Sequence, residues 1–116
     1  MSIYLAMKKL ALRDNELRAV LELKAALEER FRILDFRVFG SRARGEAVPD
    51  SDVDVMIVVD SCTPEVESVV DDLVFEINLS YDCFISTVIF GKNELEKGPL
   101  SESPLYKVVV EEGIKV

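Results

Sequence analysis

The stretch VDVMIVV, Val53 to Val59, constrains this chain more than any other. Its last five residues are apolar without interruption, so a strand there has no polar face to offer to water. Such a strand belongs in the middle of a sheet covered on both sides. The beginning of the same strand contradicts this. Asp52 and Asp54 flank Val53, and residues two apart in a strand point to one face. Their Cβ atoms are then about 6–7 Å apart. Two bare carboxylates at that distance repel by roughly 2–3 kcal/mol at an effective dielectric near 20. A shared proton or a bound cation removes that cost.

The other elements follow from periodicity. Val20, Leu23, Leu27 and Phe31 are spaced 3, 4 and 4 and predict a helix over 14–31, with Asp14 or Asn15 as N-cap. A further helical turn is expected within residues 2–12. Ile33 to Gly40 (ILDFRVFG) reads as a strand with Leu34, Phe36, Val38 and Gly40 on one face. The segment RARGEAVPDS carries turn residues, Asp50 and Ser51 among them. Thr63-Pro64 is a strong helix start, and the helix is expected to reach about Ser80. Tyr81 to Phe90 (YDCFISTVIF) is rich in β-branched and aromatic residues and reads as a third strand. A short helix around Asn93–Lys97 and a closing helix from Pro104 to Glu112, ended by Gly113, complete the chain. The fold class is α/β (α+β), a small mixed sheet flanked by helices, in a single domain over residues 1–116.

Composition narrows the chemistry. Fourteen Lys and Arg against 22 Asp and Glu give a net charge of −8. A protein that tracks a duplex phosphate backbone needs a basic face, so duplex nucleic acid is not the expected partner. A small nucleotide held through metal ions remains compatible, because the metal reverses the local charge. The chain has no histidine and two isolated cysteines, Cys62 and Cys83. Zinc sites and His-dependent nucleophilic catalysis are therefore set aside. Reduced thiols, no signal-peptide pattern and no apolar run of about 18 residues point to a cytoplasmic protein without a membrane span.

The stretch before the acid pair supplies a second clue. Gly40-Ser41 is followed by ten residues and then Asp52-x-Asp54. A glycine lets a backbone N–H approach a phosphate oxygen closely, and the Ser41 hydroxyl adds a donor. Arg42 and Arg44 bring positive charge, although only one of them can easily face the same site. Mg²⁺ takes oxygen ligands and leaves places for substrate phosphates. A third acid on a neighbouring strand would complete a two-metal site, and Asp82, opening the expected third strand, is the best-placed candidate. The arrangement suits a triphosphate whose α-phosphorus is attacked in line, releasing pyrophosphate.

The segment GSRARGEAVPDSDVDVMIV resembles the minimal nucleotidyltransferases of the DNA polymerase β-like superfamily. Gly40, Ser41, Asp52 and Asp54 fit that pattern without a gap, and the closing PLYKVVVEEGIKV is similar to the end of its members. The resemblance implies the nucleotidyltransferase fold. It implies two Mg²⁺ ions held by Asp52, Asp54 and Asp82, with Asp82 helping to activate the acceptor. Gly40 and Ser41 would hold the β- and γ-phosphates of ATP, with Arg42 and Arg44 nearby. It also implies an antitoxin of a toxin–antitoxin pair, transferring AMP to a tyrosine of a HEPN-domain toxin.

Other readings compete. Haloacid-dehalogenase-type phosphatases also use Asp-x-Asp, but there the apolar strand precedes the acids, and such enzymes need a longer chain. An inactive protein that keeps the fold and neutralises its partner by binding is a second reading. A small-molecule, antibiotic-type nucleotidyltransferase is a third, although those carry an extra helical domain. Apolar residues near the C-terminus and in MSIYLAMKKL are candidates for a homodimer or partner contact.

Overall fold

The computed structural model describes residues 10–45 and 51–116. The turn expected within residues 2–12 lies mostly outside these. The chain forms α1 (Asp14–Glu28), β1 (Ile33–Phe39), β2 (Val53–Val59), α2 (Pro64–Tyr81), β3 (Ile85–Gly91), α3 (Lys92–Lys97), a 3₁₀ turn (Pro99–Glu102), α4 (Pro104–Glu112) and β4 (Ile114–Lys115). The sheet order is β3-β2-β1-β4. β1 runs antiparallel to β2 and to β4, while β2 and β3 are parallel. The parallel pair needs a crossover, which α2 supplies.

The apolar run behaves as its composition demands. β2 is flanked by strands on both sides, and Val53 and Val55 to Val59 are all buried. Val53, Val55, Ile57 and Val59 meet Val20, Leu23 and Leu27 of α1 and Val70 and Ile77 of α2. Met56 and Val58 point to the opposite face, where Phe90 and Val109 cover them. On that face Phe90 and Tyr106 meet edge to face, with ring centroids 5.5 Å apart. Each of these large side chains contributes roughly 1.5–3 kcal/mol on burial. Asp52 and Asp54 belong to the Met56 face, at the end of the strand where the apolar cover stops.

Several boundaries differ from the sequence expectation. α1 is capped by Arg13 and closes at Glu28. Asn15 acts elsewhere, its side chain donating to the carbonyls of Tyr81 and Asp82 at 2.7 and 3.3 Å. A register shift between Ile33 and Asp35 turns Leu34 away from Phe36 and Val38, into the second apolar cluster. Thr63 caps α2 as expected, its hydroxyl accepting from the Val66 N–H at 3.2 Å. That helix runs on to Tyr81, and β3 begins only at Ile85. The intervening turn is fixed by Asn78, which accepts from the Ile85 N–H at 2.8 Å and donates to the Ile85 carbonyl at 3.2 Å. The two-residue β4 after α4 had no sequence signal.

Candidate active site

β1 leads directly into the Gly40 turn. Gly40 has φ +76°, a left-handed backbone that favours glycine. Its carbonyl accepts from the N–H groups of Ala43 and Arg44, at 3.1 and 3.2 Å, which winds residues 40–44 into a tight turn. Close approach also requires glycine here. A Cβ on Gly40 would stand 2.5 Å from Asp54 Oδ2. β1 and β2 are in register at Phe39 and Asp54, so the turn emerges beside that carboxylate. The Gly-Ser and Asp-x-Asp elements, ten residues apart in sequence, thus adjoin one site.

Burial raises the Asp54 pKa, and the neighbouring negative charge of Asp52 raises it further; Arg42 and Arg44 pull the other way. A cation would relieve both unfavourable effects. The ligands on offer are carboxylate and hydroxyl oxygens, the donor set a hard divalent ion prefers. Ser41 Oγ is directed toward Ser51 Oγ at 3.4 Å and stands in the turn next to Gly40.

The two arginines separate. Arg42 is turned inward and buried. Its Nε donates to Ser51 Oγ (2.8 Å), Nη1 to the Ala11 carbonyl (2.9 Å) and to Glu16 Oε1 (2.6 Å), and Nη2 to the Ser51 carbonyl (2.9 Å). The guanidinium therefore clamps the two ends of the loop to α1, and its charge reaches Asp54 only through space. Arg44 is exposed, with Nη1 3.4 Å from Glu112 Oε2 at the end of α4.

Asp82 departs from its expected place. It caps α2 in the left-handed region, φ 52°, and does not open β3. It lines a neighbouring cleft with Arg13, Glu16, Arg42 and Ser51. The charges acting on Asp54 are those of Asp52, Arg42 and Arg44. Among the described residues no three Asp, Glu, Cys or His side chains form a group able to hold a metal ion. The expected three-acid cluster is thus not assembled, because α2 runs through Tyr81 and β3 starts only at Ile85, past Asp82.

Sequence reasoning missed three residues. Glu16, the buried partner of Arg42, follows Arg13 by three, and its carboxylate accepts from the Arg13 N–H at 2.8 Å; only that capping spacing could have marked it. Arg37 pairs with Asp35 at 2.9 Å and also donates to the Val110 carbonyl, tying α4 to β1. Ser86 lies opposite Asp54 in the β2–β3 register, and nothing in the sequence singles it out.

Comparisons with known proteins agree with this architecture. A family model described as the nucleotidyltransferase domain matches residues 20–116. A solved structure named as a minimal nucleotidyltransferase is similar at 25% identity and TM-score 0.60, over 90% of this chain and 97% of that one. Two structures of variants of the toxin–antitoxin MntA-HpeT share the fold at 18% and 16% identity, with TM-scores of 0.57 and 0.56; each likeness spans 90% of this chain and 72% of theirs. No curated protein matches. Among the described residues no helix is long and apolar enough to cross a membrane. The chain belongs to the nucleotidyltransferase domain family.

Proposed function

We propose that this protein is the antitoxin of a toxin–antitoxin pair and moves AMP from ATP to a tyrosine hydroxyl of a HEPN-domain toxin, with Mg²⁺ as cofactor. The observation that carries the reading is the contact between the Gly40 turn and the Asp54 carboxylate. It joins a phosphate-binding turn to an acid pair in one place. The likeness in fold to the MntA-HpeT structures supports the choice of partner, and the two free thiols, Cys62 and Cys83, suit a cytoplasmic setting.

In this reading Gly40 and Ser41 hold the β- and γ-phosphates through a backbone N–H and the Ser41 hydroxyl. Asp52 and Asp54 hold the divalent cation, which neutralises phosphate charge when bound. Arg44 adds positive potential from the solvent side, and Arg42 keeps the turn in place. The acceptor oxygen attacks the α-phosphorus, the bond to the bridging oxygen breaks, pyrophosphate leaves, and the acceptor proton passes to solvent. Asp82, in the neighbouring cleft, takes no part.

The test is the intact mass of the HEPN partner after incubation with this protein, ATP and Mg²⁺, with Asp54→Asn as control. One or more added AMP units, absent in the control, is the expected result. No added mass in a stable complex would replace transfer with neutralisation by binding. Neither mass nor complex would overturn the partner and send the search to small-molecule acceptors.

A further inference from the structure

We infer that the acid pair holds one divalent cation and not two, and that Ser86 sets this number. The inference rests on the nucleotidyltransferase reading above and gives its site a metal count. Two residues flank Asp54 across the sheet, Phe39 on β1 and Ser86 on β3. Residues paired in register share a face. Val88 and Phe90, two and four residues beyond Ser86, pack with Met56 and Val58, which lie two and four residues beyond Asp54. Ser86 therefore leaves β3 on the carboxylate's own face, about one strand spacing of 4.8 Å away. Its side chain is exposed.

This position offers β3's shortest route to a cation shared with Asp54, and it carries a neutral hydroxyl. Ile85, one residue earlier, is buried in the helix-side core, and Phe84 before it is exposed and aromatic. Asp82 has already turned off in the cap of α2. Two carboxylates balance the charge of one divalent ion, and the nucleotide's phosphates and water complete its oxygen shell. A second Mg²⁺ would need a third protein carboxylate beside Asp54, and among the described residues none joins the pair, with Ser86 at the facing position of β3. The acceptor hydroxyl then approaches the α-phosphorus without a second cation beside it.

The measurement is Mn²⁺ bound per chain, by equilibrium dialysis and by electron paramagnetic resonance, with the non-hydrolysable α,β-methylene analogue of ATP present. The wild type should bind one Mn²⁺ without Mn–Mn coupling. Ser86→Asp should bind two, with dipolar coupling between them, and Asp54→Asn should lose the single ion. Two coupled ions in the wild type would overturn the inference while leaving the nucleotidyltransferase reading intact. So would a folded Ser86→Asp that still binds one. Should Ser86→Asp not fold, the wild-type count decides alone. A wild type that binds neither Mn²⁺ nor the analogue would overturn the nucleotidyltransferase reading and this inference with it.

Discussion

Arg42 Nη1 donates to Glu16 Oε1 at 2.6 Å, with only 6% and 7% of the two side chains exposed. The pair joins the first turn of α1 to the turn after β1, and so fixes where Gly40 and Ser41 stand. Removing one member leaves the other charge buried and uncompensated, at a cost of about 3–5 kcal/mol. Glu16→Ala and Arg42→Ala should each lose that much in urea unfolding. The double variant should lose clearly less than the sum. Additive losses would show that the two side chains act independently.

The same pair predicts the acid limb of stability. Burial pushes the Glu16 carboxyl up, but hydrogen bonds from the Arg42 side chain and the Arg13 N–H, with the charges of both arginines, leave it below its ordinary 4.5. A carboxyl that titrates lower in the folded state stabilises fully above its unfolded value. That contribution is lost as pH falls through the folded value. The stability difference between wild type and Glu16→Gln should therefore be constant above about pH 5 and shrink below it. A difference that grew on acidification would contradict the assignment.

Cys62 should be slow to alkylate. Its thiol is pushed up to about 11 by burial, by donation to Glu67 Oε1 at 3.5 Å, and by the charges of Glu67 and Glu94. The thiolate is the nucleophile, so little reactive species exists at neutral pH. Iodoacetamide should label the folded protein slowly, and Glu67→Gln should speed labelling of Cys62 by roughly tenfold. Equal rates in the two proteins would remove Glu67 from the explanation.

The sheet and its two-sided cover were legible because β2 cannot hide five consecutive apolar residues any other way. The meeting of the Gly40 turn with Asp54 was legible because it rests on short-range geometry, a left-handed glycine at the end of β1 and the register of β1 with β2. The place of Asp82 was not. Tyr81 and Cys83 suit a strand by composition, and the helix continues because Asn15 and Asn78 hold its last turn and the next strand from a distance. Arg42 shows the same limit from the other side. A guanidinium next to a phosphate-binding pattern reads as a ligand until its partner, 26 residues earlier, is seen. Ser86 acquires meaning only from the strand register.

Gly40→Ala tests the close approach. The left-handed backbone alone costs an alanine about 1–2 kcal/mol, and the added Cβ would stand 2.5 Å from Asp54 Oδ2. Stability should fall by at least that amount, and nucleotide-dependent metal binding should fall further as the carboxylate is displaced. Gly45, with φ +77° at the far end of the turn, provides the comparison. Gly45→Ala should carry the backbone cost and keep more of the binding. Equal binding losses at the two positions would mean that the Asp54 contact is incidental.

Asp54→Asn should reverse its effect on stability when metal is added. In metal-free buffer at neutral pH, Asp54 is a half-buried charge facing Asp52. Asparagine keeps the shape and removes the repulsion, so the variant should be more stable than wild type by roughly 0.5–1 kcal/mol, the scale of one partly solvated charge pair. Under the proposed function metal and nucleotide bind only the folded state, and a ligand of that kind at free concentration c stabilises it by RT ln(1 + c/Kd), about 2.7 kcal/mol at a hundredfold excess over Kd. Wild type gains this and the variant does not, so the order of stabilities should invert as Mg²⁺ and a non-hydrolysable ATP analogue are titrated in. Thermal unfolding of both proteins along that titration follows the crossing directly. A variant that stabilises in parallel with wild type would place the cation elsewhere, and a variant less stable than wild type without metal would mean that Asp54 is held by the fold and not by a ligand.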